Sequence, residues 1–388
     1  MRYRSLGRLD LQVSALGFGC MRLPTLGSSA EINEAEASRM LAYAIEHGVN
    51  YFDTAYGYHG QNSERFLGRF FKSNGYRDRV ILATKLPCGE VHEHSDFDRL
   101  LNEQRAKLQT EHIDCYLLHG LRHERWEMVR ALGVREWLHS AQADGRIGHL
   151  GFSFHDTIEA FKAIVDDFDW DFCQIQYNFM NESYQAGAEG LRYAASKGLG
   201  VVVMEPLLGG RLADPPDPVR ALWEQAPVKR TAAQWGLLWV WNHPEVSLAL
   251  SGMSTLEQVQ ENVATAEHAA PHVLTADELA LIAQVRACYE SLCPAPCTAC
   301  EYCMPCPNGV HIPRNFGNLN RGVMYNWLQG AREAYSRLEE GQRASACIQC
   351  RECEPKCPQN ILISEWMPYI HQVLGEGQPY EPRECPQP

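Results

Sequence analysis

The chain of 388 residues is 45% hydrophobic and has a formal net charge of −13, and it has no apolar run of the roughly eighteen residues that a membrane-spanning helix needs. The negative charge argues against nucleic acid as a partner, because contacts from Lys and Arg to phosphate supply most of that affinity. The N-terminus lacks the apolar stretch of a secretion signal, so we expect a soluble, cytoplasmic protein of two domains.

Eight short apolar runs, rich in β-branched and aromatic residues, alternate with longer runs of helical spacing. The predicted strands are residues 13–19, 50–55, 80–86, 113–119, 149–154, 172–178, 200–206 and 247–252. Eight strands that alternate with helices over about 250 residues predict a closed (β/α)8 TIM barrel. An open doubly wound sheet is the alternative, but the turn "GFGCMR" after the first strand is not the GxGxxG that usually accompanies such a sheet.

Four polar residues lie at or just after the carboxyl ends of successive predicted strands, where barrels place their active sites. Asp53 ends the second strand and Tyr58 follows it, Lys85 ends the third strand, and His119 ends the fourth. Together with the segments "GFSFHD", "QIQYN" and "SGMSTLEQVQENV", these residues resemble the aldo-keto reductases over roughly residues 1–270. The resemblance implies a hydride-transferring oxidoreductase of carbonyl or alcohol substrates.

The chemistry of that reaction explains the four residue types. A carbonyl that receives a hydride becomes an alkoxide and needs a proton donor, and Tyr58 is the candidate acid/base. Because a phenol has a pKa of about 10, we expect Lys85 to lower it and Asp53 to hold the lysine charged. We expect His119 to orient the carbonyl and to hydrogen-bond its oxygen as charge develops there.

The resemblance also implies a nicotinamide dinucleotide, NADP(H) or NAD(H), that lies across the barrel mouth. The residues assigned to it by motif are Met21, Ser153, Gln174, Ser251, Gly252, Ser254, Gln258 and Asn262. Two features depart from the family pattern. Met204 stands where many members have an aromatic residue against the nicotinamide, and residues 251–262 contain no Lys or Arg for a 2′-phosphate. The choice between the two cofactors is therefore open.

The last hundred residues have a different composition, rich in Pro and Cys, which predicts a barrel domain over 1–290 and a second domain over 291–388. Eight of the fifteen cysteines form C-x2-C-x2-C-x2-C-P and C-x2-C-x2-C-x3-C-P motifs. In a reducing compartment such spacing indicates bound metal rather than disulfides. The tail resembles ferredoxin-type domains, and helical spacing over 315–346 predicts a mainly α-helical one.

In a ferredoxin run, three closely spaced thiolates bind one [4Fe–4S] cluster and the fourth reaches the other cluster. The first expected ligand set is Cys297, Cys300, Cys303 and Cys357, and the second is Cys347, Cys350, Cys353 and Cys306. Zinc is the alternative metal, although zinc sites generally lack the third closely spaced cysteine and the trailing proline.

The two halves together resemble aldo-keto reductases with a C-terminal 4Fe–4S ferredoxin-like domain. We therefore expect an NAD(P)-dependent oxidoreductase that is coupled to, or stabilised by, two [4Fe–4S] clusters. The expected partners are a small-molecule carbonyl or alcohol and a redox partner protein, with no nucleic acid and no membrane. The alternative is a nicotinamide-binding redox sensor or electron-transfer module without carbonyl turnover. The identity of the substrate and the oligomeric state are not readable from the sequence.

Overall fold

The computed structural model describes residues 1–383. Its strands are β1 (Tyr3–Ser5), β2 (Gln12–Ser14), β3 (Leu16–Gly19), β4 (Tyr51–Asp53), β5 (Ile81–Leu86), β6 (Ile113–Leu121), β7 (Ile147–Phe154), β8 (Phe172–Gln176), β9 (Gly200–Met204) and β10 (Leu248–Ser251). Its α-helices are α1 (Glu34–Glu46), α2 (Asn62–Asn74), α3 (Ser95–Leu108), α4 (His123–Ala131), α5 (Val134–Ala143), α6 (Ile158–Asp167), α7 (Gly187–Ser196), α8 (Asp217–Glu224), α9 (Ala232–Trp241), α10 (Leu256–Ala266), α11 (Ala276–Ser291), α12 (Ile312–Met324), α13 (Leu328–Ser336) and α14 (Ile363–Leu374).

Strands β3 to β10 form a closed barrel in which every neighbouring pair is parallel and β10 pairs with β3. The (β/α)8 barrel predicted from the sequence is confirmed, and each predicted strand overlaps one strand of the barrel. Because all eight strands run in the same direction, their carboxyl ends share one face of the barrel. The side chains at those ends are therefore brought together although they are far apart in sequence.

An antiparallel hairpin of β1 and β2 closes the opposite face and was not predicted. Its Leu6 and Val13 are fully buried in the barrel core. The turn at Gly7 has a φ of 60°, and a Cβ there would lie 2.2 Å from the backbone nitrogen of Gly200, at the amino end of β9. This contact requires glycine at the turn, and it places the hairpin at the amino ends of the strands, away from the candidate site.

The sequence has helical spacing throughout residues 126–145, but the structure divides this stretch into α4 and α5. Gly133 between them has a φ of 85°, a conformation that favours glycine and that ends the first helix. The Leu132 carbonyl that the break leaves free lies 2.8 Å from His94 Nδ1. The periodicity of the apolar residues continues through the break, which is why the sequence alone suggested one helix.

The chain forms two compact units. One contains Met1–Gly210 and Ala233–Ala276, and the other contains Arg211–Ala232 and the chain from Asp277 onward. The second unit is mainly helical, as expected, and its core includes Phe316 and Trp366. The domain boundary at residue 290 stays a prediction. Within residues 1–383 no helix combines the length and apolarity needed to cross a bilayer, and the cytoplasmic location also stays a prediction.

Candidate functional site

Four predicted catalytic residues come together at the carboxyl face of the barrel. Lys85 Nζ donates a hydrogen bond of 2.7 Å to Asp53 Oδ1 and another of 2.7 Å to the carbonyl of Thr54. The Tyr58 hydroxyl is 3.5 Å from Lys85 Nζ, and the Tyr58 ring lies edge-on to His119 with 6.1 Å between ring centroids. One ion pair, one phenol and one imidazole thus form a continuous polar cluster.

The ion pair at the base of this cluster is almost completely buried. Lys85 is 1% exposed and Asp53 is 3% exposed. Burial raises the pKa of Asp53, while Lys85 and the Gln174 amide oppose that shift. Burial by itself would lower the pKa of Lys85, but Asp53 and Tyr58 together raise it. The lysine is therefore held as a cation, because its loss of solvation is compensated by two specific partners.

Burial also sets the protonation of Tyr58 and His119. It raises the pKa of Tyr58 above its ordinary value, and the opposing effect of Lys85 is smaller. Lys85 lowers the pKa of Tyr58, as expected, but the effect of burial is larger and the net shift is upward. Burial, followed by the charge of Lys85, lowers the pKa of His119 to about 3. At neutral pH, Tyr58 is a protonated phenol and His119 a neutral ring, and each of them has a proton to donate.

A buried polar network behind β5 fixes the strand that carries Lys85. Glu64 Oε1 accepts hydrogen bonds of 2.7 Å from Thr84 Oγ1 and from Gln104 Nε2. Gln104 Nε2 also donates to the Lys85 carbonyl at 3.0 Å, and its Oε1 accepts from the Tyr116 hydroxyl at 2.7 Å. The sequence analysis did not predict this network. A charged helical residue such as Glu64 is ordinarily expected to be exposed, and its burial can be recognised only once its hydrogen-bond partners are known.

A tight turn between β4 and α2 positions Tyr58. The Tyr58 N–H donates to the Ala55 carbonyl at 3.1 Å, and the Tyr58 carbonyl accepts from the Ser63 N–H at 3.2 Å. His59 and Gln61, which follow Tyr58, have φ values of 51° and 71°. Left-handed backbone at residues other than glycine is strained, and such strain often occurs where a functional side chain must be held in one orientation.

Ser153 and Gln174, the two residues assigned to the nicotinamide carboxamide, are neighbours at this face. They are partners in the register of β7 and β8 and are both buried. Ser153 Oγ accepts from the Gly120 N–H at 2.7 Å, and Gln174 Nε2 donates to Asp53 Oδ2 at 3.2 Å. Met21, in the loop after β3, is 61% exposed. Gln174 therefore links the predicted cofactor site to the catalytic cluster.

The other predicted cofactor residues form the loop between β10 and α10. Asn262 Nδ2 donates to Ser251 Oγ at 3.1 Å, and the Ser254 N–H donates to Gln258 Oε1 at 2.8 Å. These side-chain bonds connect the loop to the first turns of α10. The amino end of a helix favours anions, and this loop leads into the amino end of α10.

Arg22 was missed by the sequence analysis, because it is remote in sequence from this loop. Its carbonyl accepts from Ser254 Oγ at 2.9 Å. A Cβ at Gly252 would lie 2.9 Å from Arg22 Cδ, so the arginine side chain runs along the glycine. The closing pair of β10 and β3 makes this contact possible. The loop thus has a neighbouring cation although none lies within it.

The cysteines of the second unit line two cavities. One cavity is lined by Cys297, Cys300, Cys303 and Cys357. The other is lined by Cys306, Cys347, Cys350 and Cys353. The structure therefore groups the cysteines in the two predicted sets, with the fourth cysteine of each motif in the other motif's cavity. Ile312 and Ile363 line both cavities, so the cavities are adjacent.

The two cysteine loops share an unusual backbone. Ala299 and Glu301 in the first loop have φ values of 56° and 64°, and Gln349 and Arg351 in the second have φ values of 59° and 65°. Alternating left-handed residues turn successive N–H groups toward a common centre, which makes a concave site for an anion. The Gln349 N–H also lies 3.4 Å from Cys347 Sγ.

Two buried asparagines of α12 tie the starts of these loops to the unit's core. Asn320 donates to the Ala295 carbonyl at 2.7 Å and accepts from the Ala295 N–H at 3.2 Å, two residues before Cys297. Asn315 accepts from the Ala344 N–H at 2.9 Å and donates to the Gln342 carbonyl at 2.9 Å, shortly before the second loop. Each loop therefore has its own anchor. Within residues 1–383 no group of three or more His, Cys, Asp or Glu side chains is arranged to hold a metal ion.

The chain is similar to known proteins over both parts. The model of the aldo/keto reductase family matches residues 15–287, and that of a 4Fe–4S dicluster domain matches residues 296–362. L-galactose dehydrogenase of Arabidopsis thaliana is 27% identical over 282 residues, covering 67% of this chain and 86% of that protein. 6-dehydroglucose reductase of Novosphingobium aromaticivorans is 27% identical over 284 residues, covering 67% and 88%. The holo form of aldo-keto reductase AKR11C1 from Bacillus halodurans matches with a TM-score of 0.61 and 29% identity, covering 74% of this chain and 96% of that chain.

Proposed function

The chain belongs to the aldo/keto reductase family, and on that premise we propose that it transfers a hydride between NAD(P)H and a small carbonyl or alcohol substrate. The observation that carries the proposal is the buried Lys85–Asp53 ion pair beside the Tyr58 hydroxyl. Burying an ion pair costs desolvation free energy, and the attraction between the two charges compensates for that cost only when their geometry is favourable. Here its cation faces the phenol that the reaction needs as a proton donor.

We assign the proton transfer to Tyr58. A bound nicotinamide dinucleotide supplies the hydride. Tyr58 gives its proton to the carbonyl oxygen during reduction and takes one from the alcohol during oxidation. Lys85 stabilises the phenolate that reduction leaves, and Asp53 keeps Lys85 charged and in place. His119, neutral because burial lowers its pKa to about 3, donates a hydrogen bond to the same oxygen.

The residues at the barrel mouth fit a dinucleotide. Ser153 and Gln174 offer polar atoms beside the catalytic cluster, and the loop before α10 offers backbone N–H groups to a phosphate. The Arg22 side chain lies along Gly252 in this loop, and a guanidinium suits a 2′-phosphate. This contact supports NADP(H) as the preferred cofactor, with NAD(H) as the alternative.

We propose that the second unit holds two [4Fe–4S] clusters, one in each cysteine cavity. Each set of four thiols lines one cavity, and among residues 1–383 no such set converges on the point that a single metal ion would occupy, which suits a cube of iron and sulfide better than a single zinc ion. Clusters pass electrons one at a time, whereas hydride transfer moves two together. Their proposed role is therefore exchange with a redox partner protein, or stabilisation of the unit, outside the hydride step.

The names of two relatives indicate which carbonyls to test. L-galactose dehydrogenase and 6-dehydroglucose reductase are named for sugar substrates. Sugar aldehydes and hydroxyaldehydes therefore belong on the first substrate panel, together with apolar aldehydes of the same length.

The test compares two tyrosines of one turn. Tyr58→Phe removes the proposed acid/base, and we expect kcat for carbonyl reduction to fall by about 10²- to 10⁴-fold while the cofactor Kd changes little. Tyr56→Phe removes a hydroxyl that lies 3.2 Å from both carboxylate oxygens of Glu103, and it serves as the matched control with near-normal turnover. Activity of Tyr58→Phe within tenfold of the wild type would remove Tyr58 from this role.

The same experiment distinguishes the proposed enzyme from the alternative, which is a module that binds nicotinamide but reduces no carbonyl. A nicotinamide-binding sensor or electron-transfer module would bind cofactor in both variants and would reduce no carbonyl on the panel even as wild type. Measured cofactor binding with no carbonyl reduction by the wild-type chain would therefore favour that alternative.

A further inference from the structure

Two consecutive polar residues at the start of α2, Ser63 and Glu64, are fully buried. They lie about one turn before the buried apolar residues of the same helix, which are Phe66, Leu67, Phe70 and Phe71. An apolar residue at either position would continue that buried face without the cost of burying polar atoms. The burial of Ser63 and Glu64 is therefore expected to depend on the hydrogen bonds that they make.

Ser63 joins three segments next to the catalytic cluster. Its Oγ donates to the Cys20 carbonyl at 3.2 Å and lies 2.9 Å from Thr54 Oγ1, which is then the donor of the second bond. Its N–H donates to the Tyr58 carbonyl at 3.2 Å. The Thr54 carbonyl accepts the 2.7 Å hydrogen bond from Lys85 Nζ. Ser63 therefore contacts both the turn that carries Tyr58 and the residue that holds the ammonium group of Lys85.

Glu64 acts on the main chain of the same lysine. Its Oε1 accepts 2.7 Å hydrogen bonds from Thr84 Oγ1 and from Gln104 Nε2. The Gln104 amide also donates to the Lys85 carbonyl at 3.0 Å. The other carboxylate oxygen, Oε2, is buried and has no hydrogen-bond partner within residues 1–383. Because only Oε1 is used, a carboxamide oxygen at this position could make the same two bonds.

We propose that Ser63 and Glu64 are positioning residues for the proton transfer, which set the separation between the Tyr58 hydroxyl and Lys85 Nζ. That separation is 3.5 Å. Ser63 holds the ammonium end of the lysine through Thr54 and holds the tyrosine through its carbonyl, and Glu64 holds the main chain of the lysine. The inference rests on the proposed function for the role of Tyr58 as the acid/base.

The separation matters because the site is buried. An ammonium group stabilises a phenolate strongly at hydrogen-bonding distance in a poorly solvated site, and the stabilisation falls as the two groups move apart. A variant that loosens Lys85 should therefore raise the pKa of Tyr58. The other titratable groups that face Tyr58 are Asp53, Cys20 and His119, and they are the same in every variant compared below.

The main test compares two buried serines. Ser63→Ala should lower kcat for reduction of a panel aldehyde by about tenfold and leave the cofactor Kd within about twofold, because only the geometry of the reacting groups is disturbed. The pH profile of alcohol oxidation, which needs the deprotonated phenol, should move to higher pH. Urea unfolding of the same variant measures its loss of stability.

Ser14→Ala is the matched control. Ser14 is also fully buried, but it lies in the hairpin at the opposite face of the barrel. Its Oγ donates to the Leu16 carbonyl at 2.7 Å and accepts from the Asn50 N–H at 3.1 Å. Loss of these bonds should lower the stability, as in Ser63→Ala, but should change neither kcat nor the pH profile.

A second pair of variants separates the hydrogen bonds of Glu64 from its charge. Glu64→Gln keeps an oxygen that can accept from Thr84 and Gln104, and it should leave kcat within about threefold, whereas Glu64→Leu leaves both donors unpaired and should lower kcat by about tenfold or more. The charged side chains that act on Glu64 are Lys107 and Glu103, and both variants retain them. If Glu64→Leu does not fold, Thr84→Val removes one donor with little change of shape and should lower kcat in the same direction.

Crystal structures of the variants test the positions directly and do not depend on turnover. We expect Lys85 Nζ to lie farther from the Tyr58 hydroxyl in Ser63→Ala than in Ser14→Ala. An unchanged separation, an unchanged pH profile in Ser63→Ala, or equal losses of kcat in Glu64→Gln and Glu64→Leu would overturn the proposal. Absence of carbonyl reduction by the wild-type chain would instead mark failure of the proposed function, and the crystal structures would still decide whether Ser63 positions Lys85.

Discussion

The catalytic cluster of the barrel and the cysteine cavities of the second unit are built in different ways. Asp53, Lys85 and His119 come from three strands, and a buried ion pair connects two of them without any added group. The cysteines come from two short loops with the same backbone turns, and their thiols line two cavities. The barrel site is therefore preorganised by the protein, whereas in our proposal the [4Fe–4S] clusters connect the thiols of the cysteine sites.

The largest expected effect comes from breaking the ion pair. Lys85→Met leaves the Asp53 charge buried without a partner, and we expect a loss of about 3–5 kcal/mol in the free energy of unfolding. We also expect kcat for reduction to fall by about 100-fold or more. Loss of the cation raises the pKa of Tyr58 further, and alcohol oxidation needs the deprotonated phenol. The pH profile of oxidation should therefore move to higher pH.

The control for that variant keeps the burial and removes both charges. Lys85→Met combined with Asp53→Asn should recover much of the stability while turnover stays low, because no unpaired charge remains. Urea unfolding and pH–rate profiles measure the two effects separately. An unchanged oxidation profile in Lys85→Met would contradict the coupling between Lys85 and Tyr58.

Removing the clusters should destabilise the second unit but leave carbonyl reduction by the barrel nearly unchanged. We expect about eight iron atoms and eight sulfides per chain in the intact protein. After chelation under oxidising conditions, the second unit should lose its thermal transition, while reduction of a small aldehyde stays within about threefold of the untreated enzyme. Calorimetry and steady-state kinetics on the full chain give both values. If activity falls in proportion to the iron, the clusters take part in turnover.

The two asparagine anchors allow the two cysteine loops of the second unit to be tested one at a time. Asn320→Ala should release the first loop and lower the iron content by up to half, and Asn315→Ala should do the same for the second loop. Alkylation followed by peptide mapping identifies the exposed thiols. We expect Cys297, Cys300 and Cys303 to react in the first variant and Cys347, Cys350 and Cys353 in the second. The same labelling pattern in both variants would contradict separate anchors.

The smallest expected effect concerns the choice of cofactor. Arg22→Gln should raise the Kd for NADPH by about tenfold, since a charge-assisted hydrogen bond contributes about 1.5–3 kcal/mol, and should leave the Kd for NADH within about twofold. Fluorescence titration of both cofactors measures the ratio. Arg39→Gln, which removes a cation paired with Glu36 on α1, is the control. Equal weakening of both cofactors by Arg22→Gln would assign the arginine to a phosphate that both share.

Much of both sites could be predicted from the sequence because their signals are local or follow from topology. The spacing of the cysteines, with a proline after each fourth one, indicated the exchanged fourth cysteine before the cavities placed Cys357 and Cys306 accordingly. Asp53, Lys85 and His119 were recognisable because the ends of parallel strands share one face. The α-helical character of the second unit could be predicted because helical periodicity is also a local signal in the sequence.

The rest depends on contacts between distant segments. Arg22 reaches the loop before α10 only because β3 closes the barrel against β10. The network of Glu64 and Gln104 joins two helices to β5, and no spacing in the sequence connects them. The raised pKa of Tyr58 depends on how deeply the phenol is buried, which residue types alone do not determine.

The most direct test of the central claim is to follow the hydride itself. The wild-type chain is supplied with NADPH deuterated on the transferable side of C4 and with a small aldehyde, and the alcohol is analysed by mass spectrometry. We expect one deuterium on the carbinol carbon for each cofactor oxidised, and almost no deuterated alcohol from Tyr58→Phe in the same time. Oxidation of the cofactor without deuterium in the alcohol would mean that its electrons leave by another route, and would contradict direct hydride transfer at the Tyr58 site.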